Sequence, residues 1–115
     1  MSLGVALIMA ELHVIHKPER KGAERPRCID KSKEEWTTGF WKLSHKTAES
    51  LVGGKIYIHR TKAGKSTFGG NVTGYTVVPD GVCKGKMAIQ FTYDPACRDV
   101  STGSSGWGHE KKVIR

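Results

Sequence analysis

The residues best suited to chemistry lie between Trp36 and Val78. Trp36, Phe40 and Trp41 stand just ahead of Lys42. Tyr57, His59 and Arg60 stand just ahead of the run Lys62-Ala63-Gly64-Lys65-Ser66-Thr67-Phe68-Gly69-Gly70. Aromatic faces interleaved with positive charge suit a flat, anionic partner, and a nucleobase on its phosphate backbone is the first such partner to consider. Phe40 and Trp41 are adjacent, so on a strand they face opposite ways, one toward a core and one toward a surface. The candidate nucleic-acid-binding residues are therefore Trp36, Trp41, Lys42, His59, Arg60, Lys62, Lys65, Ser66 and Phe68.

Gly64-Lys65-Ser66 has the ending of a phosphate-binding P-loop, but the upstream glycine is missing, because position 59 is His59. The run also joins two strand-like segments instead of opening a helix, and the P-loop works by aiming helix N-terminal amides at phosphate. No nucleotide-triphosphatase loop is expected. A glycine-rich basic connection whose amides and Ser66 hydroxyl contact a phosphate is the expectation that remains.

The five histidines do not form a metal-binding pattern. His13 and His16 are three apart on a strand-like segment and face opposite sides. His45 opens a helical segment, His59 shares a strand face with Tyr57, and His109 lies near the C-terminus. A metal site needs three or four convergent ligands, so neither a metal nor a cofactor is expected. Cys28, Cys83 and Cys97 are an odd, widely spaced set in which no disulfide framework or zinc ribbon can be read, and a reducing cytoplasm is the expectation. Nothing local activates their thiols. Glu34 and Glu35 are neighbours that point apart, so they make no acid–base pair.

These residues need elements to position them. Val5 to His16 reads as a strand ended by Pro18. Residues 17–35 read as a charged loop in which Lys17, Arg20, Lys21, Arg25 and Arg27 could close over a polyanion, with a helical turn near Asp30 to Trp36 as an alternative. Phe40 to Leu43 reads as a short strand. Ser44 is a good helix N-cap, Ala48, Leu51 and Val52 share one face, and Gly53-Gly54 stops the helix. Lys55 to Arg60 alternates, with Ile56 and Ile58 opposite Tyr57 and His59. Thr61 to Gly70 reads as loop, Val72 to Val78 as strand and Pro79-Asp80-Gly81 as turn. Lys86 to Tyr93 places Met87, Ile89, Phe91 and Tyr93 on one face. Residues 94–108 read as a flexible loop, and Val113 and Ile114 as a last strand.

A chain of 115 residues with 14 glycines and one short helix points to a single, mainly β domain over 1–115, with residues 1–4 given no functional weight. Its formal net charge of +8 favours polyanion partners. No basic leader precedes Val5-Ala6-Leu7-Ile8-Met9-Ala10, and that run is too short to span a bilayer, so no signal peptide and no membrane partner are expected.

The order Gly39-Phe40-Trp41-Lys42-Leu43-Ser44, short helix, Gly53-Gly54-Lys55-Ile56-Tyr57-Ile58-His59, Ser66 to Gly70 and Val72-Thr73-Gly74-Tyr75 resembles the PUA-like superfamily, its ASCH and EVE branches above all. Lys55 stands where an aspartate after the glycine is usual. The resemblance covers about a third of the chain. It implies a small PUA-like pseudobarrel of five or six strands with one short helix. It also implies binding of RNA or of modified bases in DNA, in a cleft between Trp36, Trp41, His59 and the Lys65–Phe68 loop. Some ASCH members are hydrolases of modified nucleosides that use lysine, threonine and glutamate together, for which Lys42, Thr38 and Glu49 are the nearest residues here. A hydrolase and a protein-interaction domain are the alternatives to a nucleic-acid-binding module.

Overall fold

The computed structural model describes residues 10–15, 27–61, 63–82, 84–103, 106–107 and 111–114, with the side chain of Phe40 excepted. Among the described residues the chain forms seven strands: β1 (Glu11–Ile15), β2 (Arg27–Asp30), β3 (Glu35–Trp41), β4 (Lys55–His59), β5 (Ser66–Val77), β6 (Met87–Tyr93) and β7 (Lys111–Ile114). They form one sheet in the order β2-β3-β6-β5-β4-β1-β7. The class is mainly β, as the sequence implies. β1 and β4 run parallel, and the other neighbours are antiparallel.

A helix, α1 (His45–Leu51), supplies the crossover before β4. Ser44 caps it, its Oγ accepting from the Thr47 N–H at 3.1 Å. Ala48 and Leu51 are buried from one face of α1, whereas Val52 is exposed, because it already lies beyond the helix as its C-cap. Gly53 adopts φ +88, the left-handed geometry that ends the helix without a Cβ clash.

One face of the sheet carries the hydrophobic core. Leu12 and Val14, Ile56 and Ile58, Val72, Ile89 and Phe91, and Trp41 pack together with Leu51 of α1. Core burial follows strand period in β6, where buried Met87, Ile89 and Phe91 alternate with half-buried Ala88, Gln90 and Thr92. In β1 and β4 it does not, because the last four residues of each are buried on both faces. On the outer face a 3₁₀ turn (Pro95–Cys97), capped by Asp94, buries Cys97 against β4 and β5, and Trp107 packs on His13 of β1 and His59 of β4.

Several boundaries differ from the sequence reading, for local reasons. The strand expected over Phe40 to Leu43 lies earlier, at Glu35–Trp41, where Thr37 and Thr38 as well as Trp36 pair with β6. Residues 27–30, expected as loop, pair with β3 as an edge strand, and Asp30 then caps a 3₁₀ turn (Lys31–Lys33) through Ser32 and Lys33 N–H groups. Ser66 to Gly70, expected as loop, is the first half of β5. The two glycines fit there because neighbouring backbone comes so close: a Cβ on Gly69 would meet the Ile56 carbonyl oxygen of β4, and one on Gly70 the Thr92 carbonyl oxygen of β6. Of the strand expected over Val5 to His16, residues 5–9 and His16 lie outside the described residues, as do Lys17 to Pro26, Lys62, Cys83 and His109.

Candidate functional site

The nine candidate binding residues fall into three groups. Trp36 lies on β3 opposite Phe91, and Phe68 lies on β5 opposite Ile58, all on the core face. The Trp36 and Phe68 rings meet edge to face with centroids 4.9 Å apart, and Phe68 stacks on Tyr93 at 4.8 Å and 13°. Trp36, Phe68 and Tyr93 are each half-buried, so they form an aromatic rim at one end of the core. The Trp36 indole N–H points to the Glu34 carboxylate at 3.4 Å. Arg60 and Lys65 flank the β4–β5 connection that leads into Phe68, and both are exposed.

Trp41 and Lys42 stand apart from this rim. Trp41 pairs with Met87, which pairs with Val77, whereas Trp36 pairs with Phe91, which pairs with Val72. The two tryptophans are five positions apart along β3, at most about 16 Å at strand spacing. Trp41 is buried in the core, and its indole N–H is the one buried side-chain polar atom without a hydrogen-bond partner among the described residues. Lys42 is exposed at that far end. Of the trio set against the hydrolase resemblance, Thr38 is buried in β3 while Lys42 and Glu49 are exposed.

His59 and Ser66 belong to the outer face. Ser66 is buried, donates its hydroxyl to the Cys97 carbonyl at 2.6 Å and accepts from the Val100 N–H at 3.0 Å. Its hydroxyl ties the 97–100 segment down and is not presented to a phosphate. His59 is fully buried and joins a residue that the sequence reading left out of the site, His13 of β1. His13 Nδ1 and His59 Nε2 are 2.8 Å apart, and His59 Nδ1 is 2.9 Å from the Gly64 carbonyl oxygen. The carbonyl can only accept, so His59 Nδ1 carries the hydrogen. A neutral imidazole has one N–H, so His59 Nε2 accepts, and His13 Nδ1 is the donor. His13 Nε2 is then left with a lone pair.

The surroundings keep both rings neutral. Burial, then His59, then the Lys112 ammonium push His13 down to about 4. Burial also lowers His59, its bond to Gly64 partly opposes that, and Lys112 adds to it. Tyr57 stacks on His13 at 4.5 Å, and its hydroxyl reaches toward the Glu11 carboxylate at 3.4 Å. Burial and that carboxylate push the Tyr57 phenol up to about 12, so it stays protonated. Trp107 packs nearly perpendicular to His13 and His59, with ring centroids 6.4 and 5.5 Å away, and donates its indole N–H to the Gly103 carbonyl at 2.9 Å. Burial raises the Cys97 thiol, so it is not a nucleophile at neutral pH.

Alternation within β1 was a usable signal for His13: Leu12 and Val14 flank it, so it faces away from the core, as Tyr57 and His59 do on β4. No signal linked Trp107 or Lys112 to this face. Among the described residues no group of three or more His, Cys, Asp or Glu could hold a metal ion, and no helix is long and apolar enough to cross a membrane. No family model, curated protein or solved structure matches this chain.

Proposed function

We propose that the protein is a nucleic-acid-binding domain that stacks a base of single-stranded RNA, or a modified base of DNA, on the rim formed by Trp36, Phe68 and Tyr93. Arg60 and Lys65 then contact the adjoining phosphates. The observation that carries this reading is the convergence of Trp36 and Phe68, 32 positions apart in the chain, to a centroid distance of 4.9 Å at a half-buried edge. A half-buried ring keeps one face against the core and offers the remainder to a π-face, and stacking of that kind contributes roughly 1–3 kcal/mol per base. The formal charge of +8 supplies the sequence-independent attraction. Trp41 lies outside this site, because its ring fills the core.

The test is a titration of single-stranded RNA and DNA pools, with and without modified bases, against the wild type and three variants. Trp36→Ala weakens binding by roughly 5- to 100-fold, the stacking contribution. Lys65→Ala weakens it by only a few fold, and Lys42→Ala leaves it unchanged. Equal affinity of wild type and Trp36→Ala, with the fold intact by circular dichroism, overturns the reading, as does the lack of binding to any pool.

A further inference from the structure

The outer face of the sheet holds a second, independent arrangement. Two buried histidines occupy positions where apolar side chains would cost nothing in desolvation. Their hydrogen bonds run in one direction, from His13 to His59 to the Gly64 carbonyl, and so leave His13 Nε2 as an acceptor outside that run of bonds. On the sheet His13 lies between Tyr57 of β4 and Lys112 of β7, each its direct register partner. The Lys112 ammonium donates to the Thr102 carbonyl at 2.7 Å, which uses one of its three hydrogens and holds it beside the imidazoles. Glu11, the nearest carboxylate along β1, is on the other flank, directed at the Tyr57 hydroxyl. The half-buried Trp107 ring closes over the pair.

A neutral acceptor beside a fixed cation reads a group that is both a hydrogen donor and an anion. We propose that this face binds a protonated phosphate group, with its P–O–H donated to His13 Nε2 and a charged oxygen held by the Lys112 ammonium. A charged imidazole would accept any anion, whereas a neutral one selects the anion that still carries a proton. His13 binds protons too weakly at neutral pH to be an efficient general base, so the site recognises the group and does not hydrolyse it. His59 acts as a positioning residue that holds the His13 tautomer. Inorganic phosphate and the terminal phosphate of a nucleotide share this chemistry.

Sulfate provides the decisive comparison, because it has the same shape and no proton at neutral pH. Calorimetric titration of the whole chain at about pH 6.5 and constant ionic strength compares inorganic phosphate, sulfate, a nucleoside 5′-monophosphate and a 5′-phosphorylated oligonucleotide. Phosphate binds roughly tenfold or more tightly than sulfate, since a site built for a donor rejects the analogue that lacks it. Lys112→Met and His13→Phe each abolish that preference, and phosphate, not sulfate, shifts the His13 Nε2 nitrogen resonance of the wild type. Tighter binding of the nucleotide arms than of phosphate identifies a terminal phosphate as the source, and equal binding identifies the free ion. Equal affinity for phosphate and sulfate, no binding of either, or a preference unchanged in Lys112→Met overturns the proposal. Trp36→Ala retains the phosphate preference, so failure of this site and failure of the stacking rim are separable.

Discussion

At the scale of the residue, His13 and His59 turn a structural cost into a pH dependence. The folded His13 binds its proton only near pH 4, whereas in the unfolded chain it does so near 6.5. Between those values the unfolded state holds a proton that the folded state lacks, so stability falls as pH drops from about 6.5 toward 4. His59, lowered for the same main reason, acts in the same direction. The loss from His13 is about 3 kcal/mol when complete. Urea unfolding at a series of pH values checks this. A curve flat from pH 7 to 4 contradicts it, and His13→Phe flattens the wild-type slope in that window. Asp30 and Asp94, lowered chiefly by hydrogen bonds from Ser32 and Ala96, act only below that window, where carboxylates protonate.

At the scale of the element, β5 shows how one strand tolerates glycine for opposite reasons. Gly70 stands against the β6 backbone, and a Cβ there would lie 1.9 Å from the Thr92 oxygen and 2.9 Å from the Phe91 ring. Gly74 faces open space, its nearest neighbour being the Gln90 side-chain oxygen at 3.7 Å. Gly70→Ala therefore destabilises the domain by more than about 2 kcal/mol, while Gly74→Ala stays within about 0.5 kcal/mol. Thermal melts of the two variants measure the difference, and similar melting temperatures would refute the close approach. The same element explains why Ser66 to Gly70 reads as loop in the sequence. Glycine and polar residues carry no periodic apolar signal, and their strand geometry comes from pairing with β4 and β6.

At the scale of the whole molecule, charge and topology act separately. The excess of cations is a property of the surface and predicts salt-sensitive binding at the rim. Two cations, Arg60 and Lys65, give a slope of log affinity against log salt of about −1.4 on single strands, steeper if further lysines join. Affinity measured across a salt series checks this, and a slope near zero rules out phosphate contact. Topology decides where the candidate residues go. The parallel pairing of β1 with β4 and the antiparallel pairing of β7 with β1 bring His13, His59, Lys112 and Trp107 together from distant parts of the chain. Trp36 and Trp41, close in sequence, are separated by the length of a strand.

The local signals in the chain determine a good deal by themselves. Alternation identifies β4 and β6, Ser44 and Gly53 bound α1, and glycine content with a single short helix points to a mainly β domain. The cationic excess and the aromatic set are also legible, because they are sums over residue types. Only the tertiary structure decides which aromatics are available. Burial depends on what covers each face, and the segment after β6 covers β1 and β4 through contacts that no short-range pattern encodes. That cover removes His59 and Ser66 from the expected binding surface, encloses His59 with His13 and ties Ser66 to the 97–100 segment, while Trp36 and Phe68 stay at the rim and Trp41 is enclosed in the core.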